Sequence, residues 1–255
     1  MRESDRHRTL HNRVLAVLGP AIAAGDYRPG HVFTLDRLES GFGVSRTVAR
    51  EAVRVLESMG LVVSRPRVGV RVQPDTAWNV FDPDLIRWRL SGRDRARQLR
   101  SLTALRAAVE PAAAAEAAEH ASAAGRARLT ELSGLLAATG EAGDLDAFLK
   151  HDVEFHRLVL VESGNEMFAG LCDVIAEVLT GRTVHNLMPP RPRPEALRLH
   201  ALVATSIDAR LPDVAAAAMR GIMAEVGDQV DRIARADRGG CAGCAGRAPD
   251  DRHDG

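Results

Sequence analysis

The apolar residues change their spacing between Ser45 and Val72, and no other feature restricts the fold as much. In SRTVAREAVRVLESMG, Val48, Ala52, Val53, Leu56 and Met59 recur every three or four residues, the period of a helix with one buried face. Past Gly60, the segments LVVS and GVRV flank Arg65-Pro66-Arg67-Val68 and read as two short strands joined by a turn. Upstream, Leu10, Val14, Leu15, Leu18 and Ile22 predict a first helix over about 9–24, kinked at Gly19-Pro20 and stopped by Gly25 and Pro29-Gly30. A short helix over about 35–40 leads through Gly41-Phe42-Gly43 to Ser45, a helix-capping residue. Three helices followed by a hairpin make a winged helix-turn-helix over residues 8–73.

Charge separates this segment from the rest. The chain is formally neutral, with 34 basic and 34 acidic side chains, yet residues 1–73 carry 12 Arg against 7 Asp and Glu. The remainder is acidic by the same margin. A local positive field is what phosphate neutralisation requires. Arg46 and Thr47 begin the third helix, where side chains reach base edges when a helix enters the major groove, and Arg50 follows one turn later. Arg65 and Arg67 belong to the wing, placed for phosphate or the minor groove. The same arginines would also suit a solvated face. Helix, turn, helix, wing and charge together favour DNA.

Residues 74–82, with Pro74, Trp78 and Asn79, keep no sustained period and predict a linker; Trp78 and Trp88 read as packing anchors. From Asp82-Pro83 onward the pattern is helical, with long helices expected over about 95–124, 126–139, 144–162, 166–185, 194–209 and 212–235. Residues 83–235 therefore predict an all-helical bundle. Pro111 should kink or divide its first long helix, and the proline-rich segment 188–194 should be a stiff connection. Residues 236–255 hold too little apolar surface to pack and predict a disordered tail. The fold class is mainly α.

Two side-chain constellations in the bundle carry chemistry. Asp152 and His156, at i and i+4, share one side of a helix, and with His200 from a later helix they make a set suited to a borderline divalent metal. Spacing equally allows a hydrogen-bonded polar pair with His200 facing solvent. Arg106 and Glu110 are a second i, i+4 pair, either an ordinary ion pair on a helix face or an arginine turned inward to take a ligand carboxylate.

The motif GVSRTVAREAVRVLESMGLV, within about 14–72, resembles the DNA-binding domain of GntR-family bacterial transcription regulators. LRAAVEPAAAAEAA, DVEFHRLVLVESGN and HALVATSIDARLPDVAAAAMR occur in the order of the all-helical FCD effector domain of the FadR-like subfamily, over about 83–225. WNVFDPDLIRW resembles the linker of sugar-acid-responsive, galactonate-type repressors. The resemblance implies a homodimeric repressor whose FCD-like bundle binds a small organic acid and thereby alters affinity for double-stranded operator DNA. It assigns DNA contacts to Ser45, Arg46, Thr47 and Arg50, and to the wing at Arg67 and Gly69. It assigns a divalent metal ion to Asp152, His156 and His200; imidazole and carboxylate leave zinc, nickel and manganese all open, and the chemistry of an inward-turned guanidinium gives the effector carboxylate to Arg106. Two positions depart from the pattern. Asp36 stands where many relatives carry an arginine, so a phosphate contact there passes to Arg37 or is lost. Ile222 stands where metal-binding relatives carry a further histidine, which leaves either three protein ligands completed by water or effector oxygen, or no metal.

Three cysteines, Cys172 in an apolar helical pattern and Cys241 with Cys244 in the Gly-rich tail, make no disulfide framework and suit a reducing compartment. The first residues lack an apolar signal core, and no run approaches about 18 charge-free apolar residues, which predicts a soluble cytoplasmic protein with no membrane partner. No nucleophile or separate general base accompanies the His and Asp set, so an enzyme is not expected. The alternative readings are a metal-dependent hydrolase or lyase, and a ligand-independent DNA-binding structural protein.

Overall fold

The computed structural model describes residues 3–93, 95–184 and 191–242. In chain order the elements are α1 (Glu3–Ala23), β1 (Val32–Phe33), α2 (Leu35–Phe42), α3 (Arg46–Ser58), β2 (Val62–Arg65), β3 (Gly69–Val72) and α4 (Pro83–Ser91). Then follow α5 (Arg95–His120), α6 (Ala123–Ala142), α7 (Leu145–Glu162), α8 (Glu166–Ala169), α9 (Cys172–Val184), α10 (Pro194–Asp208) and α11 (Pro212–Ala242). Two compact units result, Met1–Gln98 with Gly170–His185 and Leu99–Ala169 with Asn186–Gly255. Helix α9 thus packs with the first unit, on α4, although it lies within the segment expected to form the bundle.

In the first unit, one face each of α1, α2 and α3 closes over a core of Val14, Leu18, Ile22, Leu38, Val48, Ala52, Val53, Leu56 and Met59. Thr34 caps α2 by accepting from Arg37 N at 3.2 Å, and Ser45 caps α3 by accepting from Val48 N at 3.4 Å. Between them Gly43, at φ 62°, ends α2 in the left-handed conformation that glycine adopts without a Cβ penalty. The wing strands pair antiparallel with Arg65 opposite Gly69, and a third strand, β1, adds to the far edge of β3 in the order β1-β3-β2. The sequence period did not disclose β1, because two residues are too few to show alternation.

Two of the close approaches that glycine permits join elements of this unit. A Cβ on Gly69, at φ 114°, would lie 2.5 Å from the Phe33 carbonyl oxygen of β1. A Cβ on Gly19 would lie 2.2 Å from the Trp88 ring of α4. Helix α1 runs through Pro20 without ending, and Gly19 makes a seat for the indole. Trp78 also packs on this core, as an anchor should. The segment expected as a linker is bonded to the winged helix: Asn79 N donates to Met59 O and Trp78 Nε1 to Gln73 O.

The second unit is helical throughout its described residues. Pro111 does not divide α5, which ends at His120 because Ser122 serves instead as the cap of α6, accepting from Gly125 N at 2.9 Å. The helix expected over 166–185 is two, α8 and α9, parted at Gly170, the residue that loses most backbone freedom in a helix. Helix α11 continues to Ala242, so the first seven residues of the expected tail are helical. Extending an existing helix costs no new nucleation. Residues 243–255, with Cys244, and residues 185–190 of the proline-rich connection lie outside the described residues. No described helix is long and apolar enough to cross a membrane.

Candidate functional site

The winged helix exposes a groove between α3 and the wing. Arg46, Arg50, Arg54, Arg65 and Arg67 line it, against only Asp36 and Glu57 of opposite charge. Ser45, Arg46, Thr47 and Arg50 are exposed, whereas Val48 and Ala49 between them are buried, which is the division that a groove-reading helix needs. At the wing tip Val68 N donates to Arg65 O at 3.1 Å across Pro66 and Arg67. Arg67 takes φ 64°, a region that costs a side-chain-bearing residue about 1 kcal/mol or more. Among the described residues only Arg67 and Arg210 bear a side chain at positive φ, and Arg67 is the one that lines the groove. Gly69 lines the same groove, and its identity is set by the β1 carbonyl it must pass.

Asp36 does not merely omit a cation. Its carboxylate pairs with Arg46, Oδ1 to Nη1 at 3.0 Å, and Glu39 lies 3.5 Å from the same nitrogen. Arg46 is therefore tethered in the unbound protein.

In the bundle, α5, α7 and α10 each send polar side chains to one buried cluster. Helix α7 buries Phe148, Asp152, Phe155, His156, Val159 and Leu160, so Asp152 and His156 share the inward face with aromatic and aliphatic neighbours. His156 Nδ1 lies 2.6 Å from Glu110 Oε2, and His200 Nδ1 lies 2.7 Å from the Ala196 carbonyl. Each contact calls for an Nδ1–H donor, leaving Nε2 with its lone pair. Both Nε2 atoms face Asp152 Oδ1, at 3.5 Å from His156 and 3.3 Å from His200. Two donors about 2.1 Å from a tetrahedral ion lie about 3.4 Å apart, so these separations fit a shared cation. His200 Nε2 is buried and makes no hydrogen bond, as a waiting ligand would. Glu110 and the Ala196 carbonyl supply the outer contacts that fix tautomer and ring orientation in metal centres. Ile222 is buried and offers no ligand atom.

Arg106 is fully buried. Its Nε donates to Glu110 Oε1 at 2.5 Å, its Nη2 lies 3.3 Å from Glu110 Oε2 and 3.4 Å from both ring nitrogens of His156, and its Nη1 has no partner. Burial alone would raise the Glu110 pKa, but the charges of Arg106 and His156 bring it down to about 2. Burial opposes ionisation of Asp152 as well, and the two imidazoles that face it, His156 and His200, overcome it, holding the carboxyl well below its ordinary value. For His156 burial favours the neutral ring, yet the Glu110 charge outweighs it and raises the pKa.

All the residues singled out in the bundle meet in this one cluster. The i, i+4 spacing of Arg106 and Glu110 left open which way they face, and both turn inward. The contact from Glu110 to His156 escaped the sequence reading, since its partners stand 46 positions apart on separate helices. His120, by contrast, is exposed beside Glu116.

An arginine-lined groove between a capped third helix and a wing defines a winged-helix DNA-binding protein. Residues 10–72 match the family described as bacterial regulatory proteins, gntR family, and residues 101–225 match the FCD domain. YieP, an uncharacterized HTH-type transcriptional regulator of Escherichia coli, is 31% identical over 162 residues, covering 63% of this chain and 70% of YieP. The galactonate operon transcriptional repressor of the same organism is 27% identical over 168 residues, covering 66% of this chain and 72% of its own. Among solved structures, Lar, which controls expression of the Listeria monocytogenes agr system, matches at a TM-score of 0.50 and 15% identity, over 89% of this chain and 97% of Lar. That last likeness shows the fold alone. The chain belongs to the GntR family, with an FCD domain following its winged helix, and is a DNA-binding transcriptional regulator.

Proposed function

We propose that this regulator is a repressor released from its operator by a small carboxylated metabolite of the sugar-acid type. The observation that carries the reading is the Arg106 guanidinium, sealed in the bundle with Nη1 unpartnered while Glu110 takes its other nitrogens. A buried donor without a partner is costly, and a ligand carboxylate supplies the missing acceptor through charge-assisted hydrogen bonds. Similarity to the galactonate operon repressor supports a sugar acid as that ligand. Asp152, His156 and His200 would hold a divalent cation, zinc, nickel or manganese, which when bound supplies a Lewis-acidic anchor for effector oxygens. Around it, Glu110 and the Ala196 carbonyl keep both imidazole lone pairs turned toward Asp152.

On DNA, a homodimer would seat one α3 in each half of a pseudo-palindrome, since a single recognition helix reads too little sequence. Ser45, Arg46, Thr47 and Arg50 make the major-groove contacts, and Arg67 with Gly69 brings the wing to the backbone. Effector and operator then affect one another reciprocally, because only a difference in affinity between two arrangements of the dimer can release DNA. The protein acts in the cytoplasm as a binding protein, with no turnover of its ligand.

The test is an operator duplex selected from random sequence, followed by fluorescence anisotropy while galactonate, gluconate and uronates are added. Release by at least one acid, lost in Arg106→Ala with effector-free DNA binding retained, is the expected result. If none of these acids releases DNA, or if Arg106→Ala is released like the parent protein, the reading fails.

A further inference from the structure

We infer that Thr103 reads a hydroxyl group of the effector, so that the site takes hydroxycarboxylates and rejects unsubstituted acids; this rests on the carboxylate site proposed for Arg106. Thr103, Arg106 and Glu110 follow one another along the buried face of α5, at one-turn intervals between Leu99, Leu102 and Ala113. Glu110 is consumed by Arg106 and His156. Thr103 is consumed by nothing: only 7% exposed, its Oγ1 has no hydrogen-bond partner.

That condition sets it apart. A buried threonine in a helix ordinarily satisfies its hydroxyl on the carbonyl four residues back. Even the exposed Thr130 and Thr205 and the half-buried Thr139 and Thr183, which water can reach, do so, at 3.1, 2.9, 2.7 and 3.3 Å. Thr103 forgoes the corresponding Leu99 carbonyl. Valine has the same shape and would fill a purely apolar site without an orphan donor, so the hydroxyl has no evident use in the unliganded fold.

Among the buried polar atoms of this unit that lack partners, Thr103 Oγ1, Arg106 Nη1 and His200 Nε2 belong to residues of, or one turn from, the buried cluster. The first two stand one turn apart on one helix face, and Arg106 and His200 both border His156. Their chemistry differs in a telling way. Arg106 Nη1 only donates and suits a carboxylate, whereas a threonine hydroxyl both donates and accepts, which suits another hydroxyl. A plain fatty or keto acid would satisfy Arg106 and leave Thr103 stranded. An acid bearing a hydroxyl near its carboxylate satisfies both, and a site that hydrogen-bonds a ligand hydroxyl strongly disfavours the analogue lacking it.

Calorimetric titration of the full-length protein with galactonate, gluconate and hexanoate tests the assignment, using the parent, Thr103→Val, Thr103→Ser and Arg106→Ala. The parent should prefer an aldonate over hexanoate. Thr103→Val should lower aldonate affinity about 10-fold or more while leaving hexanoate affinity unchanged, and Thr103→Ser should restore the preference. An unchanged preference in Thr103→Val, or equal losses for both acids, overturns the inference. If the parent binds hexanoate as tightly as the aldonates and Arg106→Ala loses all of them, the carboxylate site stands and the role of Thr103 falls. Should the parent bind none of the acids, both readings fall. Thermal unfolding of the unliganded protein gives a second check: Thr103→Val should melt at or above the parent, and a drop of more than about 3 °C would show a structural hydrogen bond in its place.

Discussion

Arg46 in the winged helix and Arg106 in the bundle each pair with a carboxylate, but one pair is in water and the other is sealed. The Arg46 and Asp36 side chains are 58% and 82% exposed, those of Arg106 and Glu110 1% each. Exposed pairs are worth about 0–1 kcal/mol, so Arg46 can exchange Asp36 for a base edge or a phosphate at little expense. Arg106 cannot leave Glu110 without stranding two buried charges, and only its spare nitrogen is open to a ligand. DNA recognition can therefore rearrange the groove, whereas the ligand recognition proposed for Arg106 would have to complete an arrangement already fixed.

That contrast can be broken most sharply at Glu110. Glu110→Gln leaves Arg106 buried beside a neutral amide, and chemical denaturation should show a loss of about 3–5 kcal/mol. A change below about 1 kcal/mol would mean the sealed pair is as dispensable as a surface one. Acid should act on the same bond. The folded pKa of Glu110, about 2, lies below its ordinary value of 4.5, so its contribution is complete above that value and is lost as the pH falls toward about 2. In Glu110→Gln this part of the stability curve should flatten.

Next in size is metal. If Asp152, His156 and His200 form a centre, adding a divalent ion at about 100 times its dissociation constant should stabilise the protein by about 2.7 kcal/mol, reversed by chelation. Elemental analysis should find the ion at one per chain, and His156→Ala should abolish both effects. Stabilisation that survives His156→Ala would place the ion elsewhere.

The groove should behave in the opposite way. Arg46→Ala or Arg50→Ala should cost about 1–3 kcal/mol in operator affinity, with thermal stability unchanged because both side chains are exposed. A loss of stability matching the loss of binding would erase the distinction between the two regions. The smallest effect is reserved for Asp36. Asp36→Ala should tighten nonspecific DNA binding by up to about 1 kcal/mol and steepen its salt dependence, since it removes a charge that repels phosphate and competes for Arg46. Weaker binding to all DNA would instead show that Asp36 holds Arg46 in the reading position.

Much of this molecule was legible in the chain because it is local. Ser45 capping α3, the inward run from Val48 to Met59 and the turn at Pro66 each depend on neighbours within a few residues, which is the range a period or a cap can report. The i, i+4 pairs were visible for the same reason. What the chain did not disclose was decided by a distant partner: Gly19 meets Trp88, Gly69 meets Phe33, and β1 exists because β3 offers it an edge.

The sequence by itself determined a winged helix followed by helices, the cationic face of α3, and which residues could carry chemistry. Only the tertiary structure decided that Arg106 and Glu110 face inward, that His156 joins them to Asp152 and His200, and that Asp36 restrains Arg46. Helical spacing specifies the side of a helix on which a residue lies, but not what that side meets. The meeting follows from packing several helices at once, and burial then turns an ordinary ion pair into one that cannot part without stranding two charges.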